Sequence, residues 1–96
     1  MRFEWDDRKN ESNLKKRGVR FETAAVTFDD PHLQMELDRI EVGETRWQTV
    51  GRVDDDYLLL VVHLLATDEE EDEEVVRIIS AREATPKERR RYERGL

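Results

Sequence analysis

The chain has 96 residues, of which 36% are hydrophobic and 43% charged, and none is cysteine. Because domains of roughly 100 to 150 residues are the common size, we expect residues 1–96 to form a single domain. The absence of cysteine excludes disulfides and thiolate metal sites and is typical of the reducing cytoplasm. The longest apolar run, 57–66, is far shorter than the ~20 residues of a membrane helix, and the charged N-terminus predicts no secretory signal.

The net charge of -7 comes from one segment of the chain. Residues 68–74 are seven consecutive acids, and removing them from the 24 acids leaves 17 acids against 17 lysines and arginines. Positive charge is clustered at 15–17 and 89–91. The acidic balance therefore does not exclude nucleic-acid binding, and the acid run is predicted to be a solvated loop.

The first third of the sequence predicts a short strand and two helices. Alternating aromatic residues in segment 1–5 indicate the strand. Asp6 or Asp7 can cap a helix that runs to about Arg17 and ends at Gly18, the residue best suited to the left-handed conformation at a helix end.

A second helix is indicated by apolar spacing. Four residues recur at i, i+3, i+4 and i+7 and share one face: Phe21, Ala24, Ala25 and Phe28. Pro31 ends this helix, because the residue before a proline is driven out of the helical region. Segment 32–43 has mixed patterning and is either a strand or an irregular crossing segment.

Three strands and a helix are predicted for the rest of the chain. Segment 44–53 alternates and has one polar, basic face, whereas 57–66 is apolar at nearly every position, as in a covered central strand. Segment 74–82 alternates again, so the three strands form an antiparallel meander on which the two helices pack. A capping box then starts a polar helix from Pro86 to about Arg94. The predicted class is α+β.

The residues of three blocks, in order, resemble the BrnT family of bacterial ribonuclease toxins. The opening block matches at Phe3, Trp5, Asp6, Asn13, Leu14, Lys16, Gly18, Val19, Phe21, Glu22, Ala24, Phe28, Asp29 and Pro31. The central block matches at Gly43, Glu44, Arg46 and Gly51. The closing block, the most specific, matches at Arg77, Ile78, Ile79, Ser80, Ala81, Arg82, Ala84, Thr85, Glu88, Arg89, Arg90, Tyr92 and Glu93.

This resemblance implies a fold like that of the RelE and ParE toxins, with an antiparallel sheet backed by two N-terminal helices. It implies RNA cleavage without a metal or cofactor. It also implies a partner, the ribbon-helix-helix antitoxin BrnA, which represses the shared promoter and would bring the chain to DNA. Two toxins and two antitoxins form the family's heterotetramer.

Arginines are the first candidates for the site. In metal-free RNA cleavage the ribose 2′-hydroxyl attacks the adjacent phosphorus, which requires a base, an acid and fixed positive charge. Guanidinium groups match phosphate oxygens in pairs. We therefore assign Arg82, Arg46 and Arg77 to the site. The alternatives are a helix-anchoring salt bridge for Arg82 and solvated or ion-paired side chains for Arg46 and Arg77.

Two further residues complete the predicted site. Glu44 is two residues from Arg46 and projects to the same side, so it is a candidate base held ionised by that cation. A plain ion pair is the alternative. Lys16 is a candidate for lining the RNA path or assisting proton transfer, with a solvated helix lysine as the alternative.

The tyrosine and histidine side chains indicate less specific roles. Tyr92 can act as an acid or stack on a base, but packing of the last helix is favoured. His63 lies in the apolar strand and is interpreted as structural. With His32 the only other histidine, no metal-ligand cluster can be assembled from the usual spacings.

Two other functions stay open. Arg17 stands where the family commonly has histidine, and the acid run is long, and these two features keep open the alternative of a catalytically inactive binding module that acts as antitoxin partner and corepressor. The third possibility is a toxin of related fold that acts on DNA gyrase.

Overall fold

The computed structural model describes all residues, 1–96, and confirms the α+β class. In chain order the elements are β1 (Arg2–Glu4), α1 (Asp7–Arg17), α2 (Phe21–Val26), a 3-10 turn (Thr27–Asp29), β2 (Gln34–Glu41), β3 (Glu44–Asp54), β4 (Tyr57–Asp68), β5 (Glu73–Glu83) and α3 (Pro86–Arg94). None of the helices combines the length and apolar character of a membrane span.

The five strands form one mixed sheet in the order β1-β5-β4-β3-β2. Strands β2 to β5 are an antiparallel meander, so segment 32–43 supplies a strand. Strand β1 pairs in parallel with β5, with Phe3 opposite Val76. The expectation of a wholly antiparallel sheet is therefore wrong. A parallel pair needs a long crossover connection, and here nearly the whole chain separates the two strands.

Side chains cap α1 and α2 at their starts. The Asp6 carboxylate accepts hydrogen bonds from the backbone amides of Arg8 and Lys9, at 2.8 and 3.2 Å. Gly18 ends α1 with φ 72°, as predicted. Helix α2 is capped from a distance, because the Phe21 amide donates to Asn10 Oδ1 at 2.8 Å.

Helix α2 ends at Val26, several residues before the predicted end at Pro31. The Thr27 hydroxyl donates to the Ala24 carbonyl at 2.7 Å and so competes for the acceptors of the last turn. The chain tightens there into the 3-10 turn, which places the partly buried Phe28 over the sheet.

Helices α1 and α2 cover one face of the sheet, which we call the helix face. Its buried core contains Val19, Phe21, Ala24, Leu59, Val61, Val76, Ile78 and Ala81. Each fully buried large aliphatic or aromatic side chain contributes roughly 1.5 to 3 kcal/mol. Gly51 lies on this face, where an added Cβ would come 2.7 Å from the Thr27 carbonyl oxygen. Only glycine permits this close approach.

Helix α3 lies on the opposite face, which we call the arginine face. The Arg52 guanidinium lies 5.6 Å from the centre of the Tyr92 ring, and Arg52 pairs across the sheet with the buried Leu58. Tyr92 is 1% exposed and is the only buried residue of α3. The capping box predicted at Thr85 and Glu88 is present. Because α3 covers only one end of the sheet, the other end of the arginine face is open.

The acid run forms a turn that is shorter than the predicted loop. Strands β4 and β5 extend to the pair formed by Asp68 and Glu73, and only residues 69–72 form the turn. Arg2 contacts Asp68 at 3.0 Å and Glu73 at 3.8 Å. These carboxylates are therefore partly neutralised, which reduces repulsion between the strand ends.

Candidate active site

The sheet register brings the three predicted arginines onto the same face. Leu64 of β4 lies opposite Arg77 of β5. Arg46 comes directly before Trp47, the last residue of β3 that pairs with β4, and strand alternation puts Arg46 on the same face as Leu64 and Arg77. Arg82 lies in a row closer to α3, opposite Leu60.

Arg46 and Arg77 each have a carboxylate nearby. Arg77 Nη1 lies 3.4 Å from Glu4 Oε1 on β1. Arg46 Nε lies 3.6 Å from Glu41 Oε2, and neither atom makes a hydrogen bond although both are buried from solvent. The pair of Arg77 with Glu4 is exposed, and exposed pairs contribute little, about 0 to 1 kcal/mol, so a phosphate can displace Glu4 from Arg77.

Arg82 is held more firmly. Its guanidinium donates two hydrogen bonds to the Glu88 carboxylate, at 2.7 and 2.9 Å. The Arg82 hydrogen bond lowers the pKa of Glu88 to about 2, against the opposing effect of burial, and the Thr85 amide assists. The salt bridge considered as the alternative for Arg82 is therefore present, and it joins the end of β5 to the first turn of α3.

An open cleft of about 380 Å³ lies beside Arg77, and we call it the Arg77 cleft. It is lined by two of the predicted residues, Arg77 and Glu44, and by two that the sequence did not single out, Glu4 and Trp47. The remaining lining is Gly43, Thr45, Leu64, Leu65, Ala66 and Val75. Trp47 pairs with the buried His63, so its side chain belongs to the helix face. The cleft thus offers a cation for a phosphate and two carboxylates for proton transfer.

The expected contact between Glu44 and Arg46 is absent. Glu44 is exposed at the start of β3 and forms no salt bridge, while Arg46 lies near Glu41 of β2. The hairpin between β2 and β3 sets Glu41 directly opposite Glu44, and Arg46 contacts Glu41. Glu44 instead lines the Arg77 cleft.

Lys16 is not in the Arg77 cleft. It lines a second depression, of about 290 Å³, between α1 and β5, which we call the α1 cleft. The lining consists of Lys9, Ser12, Asn13, Lys16, Arg17, Ile79 and Ser80. This placement favours the RNA path over proton transfer for Lys16.

Asn13 is a structural residue that the sequence reading passed over. Its side chain accepts a hydrogen bond from the Ala81 amide at 3.1 Å and donates to the Ala81 carbonyl at 2.8 Å. It also donates to the Val19 carbonyl at 2.9 Å. The side-chain amide of Asn13 thus pairs with the edge of β5 as a neighbouring strand would, at a position that β1 does not reach. An asparagine at a buried position of a polar helix is the sequence feature that could have predicted this role.

His63 and Tyr92 have the structural surroundings that were favoured for them. His63 is fully buried, with Nε2 2.8 Å from Thr49 Oγ1 and the Phe28 ring centre 5.0 Å away. Burial lowers the pKa of His63 to about 4. Tyr92 donates to Asp30 at 2.5 Å. No group of three or more histidine or acidic side chains is placed to hold a metal ion.

Comparison with known proteins gives one family and one fold. A family model described as ribonuclease toxin, BrnT, of type II toxin-antitoxin system matches residues 5–88. The crystal structure of the Brucella abortus ribonuclease toxin BrnT is similar with a TM-score of 0.67 and 18% sequence identity, over 88% of this chain and 97% of that chain. At this identity the likeness shows the fold alone. No curated protein sequence matches.

Proposed function

Because the chain belongs to the BrnT family of ribonuclease toxins of type II toxin-antitoxin systems, we propose that it is an endoribonuclease that cleaves RNA without a metal. Cleavage of cytoplasmic RNA would stop translation and growth. We further propose that residues 1–96 act as one toxin domain, related in fold to the RelE and ParE toxins.

The observation that carries the proposal is the Arg77 cleft, where an arginine with a displaceable partner lies among two carboxylates, Glu4 and Glu44. Arg77 binds the scissile phosphate and stabilises the charge that develops on it, with Arg46 on the same face of the sheet. Glu44, which has no salt-bridge partner, accepts the proton of the attacking 2′-hydroxyl.

Metal independence is proposed from the chemistry of the reaction. Attack by the 2′-hydroxyl forms a new bond from oxygen to phosphorus while the bond to the 5′-oxygen breaks. A base, an acid and fixed cations suffice for this step, and amino-acid side chains supply all three. Cleavage in excess chelator is the corresponding expectation.

The test is cleavage of a labelled RNA by the purified protein in EDTA. Arg77→Ala should lower the rate about 100-fold or more, the usual cost of one charge-stabilising donor. Arg91→Ala is the matched control, because Arg91 is an exposed arginine paired with Glu36 and does not line the Arg77 cleft. Intact RNA with the wild-type protein would contradict the proposal, as would equal rates for the two variants.

The ion pairs favour one alternative, a catalytically inactive partner and corepressor of the antitoxin. Each predicted arginine has a carboxylate within 4 Å, so none is free in the unliganded protein. An inactive module would leave RNA intact in EDTA and in Mg²⁺ while still forming a stable complex with the antitoxin. Cleavage that Arg77→Ala abolishes would exclude it.

A type II toxin has an antitoxin partner, and the surface offers a place for it. Exposed apolar side chains lie on β2, on the turn that follows it and on β4: Met35, Leu37, Ile40, Val42 and Leu65. Leu65 also lines the Arg77 cleft, so the apolar patch and the cleft are continuous. We propose that a BrnA-like ribbon-helix-helix antitoxin covers the apolar patch and the Arg77 cleft, in a complex of two toxins and two antitoxins, and that DNA contact occurs only through the antitoxin.

Surface variants test this docking. Leu37→Ser with Ile40→Ser should weaken antitoxin binding at least tenfold in calorimetry and leave RNA cleavage intact. Val26→Ser is the control, because Val26 is an exposed apolar residue on α2, outside the patch. Equal affinity of the patch variant and the control would place the antitoxin elsewhere.

A further inference from the structure

The α1 cleft is lined by three cations that no carboxylate neutralises. Lys9, Lys16 and Arg17 converge on it, and no acidic residue is part of its lining. None of the three forms a salt bridge, whereas Arg46, Arg77 and Arg82 each have one. In a chain of net charge -7, three uncompensated cations in one depression mark a site for an anion.

The floor and walls of the α1 cleft suit a sugar-phosphate backbone. The Asn13 side chain makes three hydrogen bonds to the backbone of Ala81 and Val19. These bonds fix α1 against β5 and so keep the cleft between them open. The hydroxyls of Ser12 and Ser80 supply neutral donors beside the cations. Ile79 has no partner on β4, since the register shifts at this point, and it adds an apolar surface.

The α1 cleft is connected to the arginine face through Ser80. On β5 this residue lies between Arg77 and Arg82, and it pairs with Val62, which in turn pairs with Gln48 of the arginine face. Strand β1 pairs only with residues 75–77, so no strand covers the edge of β5 at Ser80. A flexible polyanion can therefore pass from Arg77 around this edge to α1.

We infer that the α1 cleft binds the backbone phosphates of single-stranded RNA on one side of the scissile bond. This subsite rests on the proposed function for the identity of its ligand, and it extends the contact beyond the Arg77 cleft. Its cations contribute affinity, and a strand that reaches it from Arg77 must bend around the edge of β5, which a flexible single strand can do, so the substrate class is single-stranded RNA several nucleotides long.

The experiment measures binding rather than cleavage. A fluorescent single-stranded RNA of about ten nucleotides, 2′-O-methylated throughout so that attack is impossible, is titrated at several KCl concentrations. The cleft variant carries Lys9→Gln, Lys16→Gln and Arg17→Gln. The control carries Arg8→Gln, Lys15→Gln and Arg20→Gln, three exposed cations on or beside α1 that do not line the cleft. Both variants change the net charge equally.

The cleft variant should bind at least tenfold more weakly at low salt, and its slope of log affinity against log salt should be shallower by about 2, as loss of three phosphate contacts on a single strand predicts. The control should stay within about threefold of wild type. Equal losses in the two variants, or no loss in either, would overturn the subsite. Wild-type protein that binds this RNA through the cleft yet leaves the same sequence intact when its 2′-hydroxyls are free would refute the proposed nuclease and leave the subsite standing.

Discussion

The Tyr92 hydroxyl donates a hydrogen bond to the Asp30 carboxylate at 2.5 Å, which joins the last helix to the segment before β2. The same carboxylate accepts from the amides of Arg52, at 2.7 Å, and His32, at 2.8 Å. Burial raises the pKa of Asp30, but the three hydrogen bonds outweigh it and leave the pKa below its usual value. A polar helix is thus anchored through one buried aromatic residue.

Removing the Tyr92 hydroxyl should lower the stability of the protein without lowering its rate of RNA cleavage. Tyr92→Phe keeps the ring and leaves Asp30 one donor short, so we expect a loss of about 1 to 3 kcal/mol in the free energy of unfolding. Urea denaturation measures it. Tyr92→Phe should cleave RNA at the wild-type rate, and a large loss of cleavage at full folding would instead make Tyr92 a proton donor.

The Arg82–Glu88 pair separates an anchoring role from a catalytic one. Arg82→Ala and Glu88→Gln each break the two-point contact, and each should cost about 1 to 2 kcal/mol because the pair is only partly buried. If Arg82 also contacts the phosphate, only Arg82→Ala will lose cleavage, by about 100-fold. The rates are compared at a temperature where both variants are folded. Equal cleavage rates for Arg82→Ala and Glu88→Gln would show that Arg82 does not contact the phosphate.

Asn13 should be the most sensitive polar residue of α1. Asn13→Ala leaves the Ala81 amide and two carbonyls without partners in a buried place, and we expect a loss of about 2 to 4 kcal/mol. Thermal or urea unfolding provides the measurement. Ser12→Ala, one residue away, should change stability by less than about 0.5 kcal/mol. A similar small change for Asn13→Ala would show that water replaces the amide.

His63 should make stability depend on pH in mild acid. Its pKa is about 4 in the folded protein, below the ordinary 6.5, so the unfolded chain binds a proton that the folded one excludes. The contribution is complete above pH 6.5 and is lost as the pH falls toward 4. Between pH 7 and 5 the loss should be about 2 kcal/mol. His63→Gln should show a much flatter profile in this range, and an unchanged profile would assign the effect to other groups.

Local signals predicted the end of α1, the start of α3 and most strand limits, but not the end of α2. The left-handed conformation of Gly18 and the capping box at Thr85 depend on neighbours within a few residues, so spacing alone reveals them. The strand 57–66 was recognisable because a strand covered on both faces is apolar at successive positions. The actual strand continues to Asp68, where pairing with Glu73 overrides the polarity of the acids.

The contacts of the site depend on residues far apart in the chain. Pairing of β1 with β5 brings Glu4 to Arg77, and the hairpin of β2 and β3 brings Glu41 to Arg46. No periodicity predicts such partners, since a strand of three residues carries no information about which edge it joins. The sequence therefore left the partners of Arg46 and Arg77 open. Strict alternation also places Arg77 and Arg82, five residues apart, on opposite faces, and only the register shift in β5 between Ile78 and Ser80 brings them to the same face.

The pairing of the first strand with the last has a consequence for the order of synthesis. Residues 2–4 can join the sheet only after β5 has been made, because β5 is their sole partner. Glu4 thus reaches Arg77 only after residues 73–83 have left the ribosome. The nascent chain consequently has no assembled Arg77 cleft before that point, even where its helices have already formed.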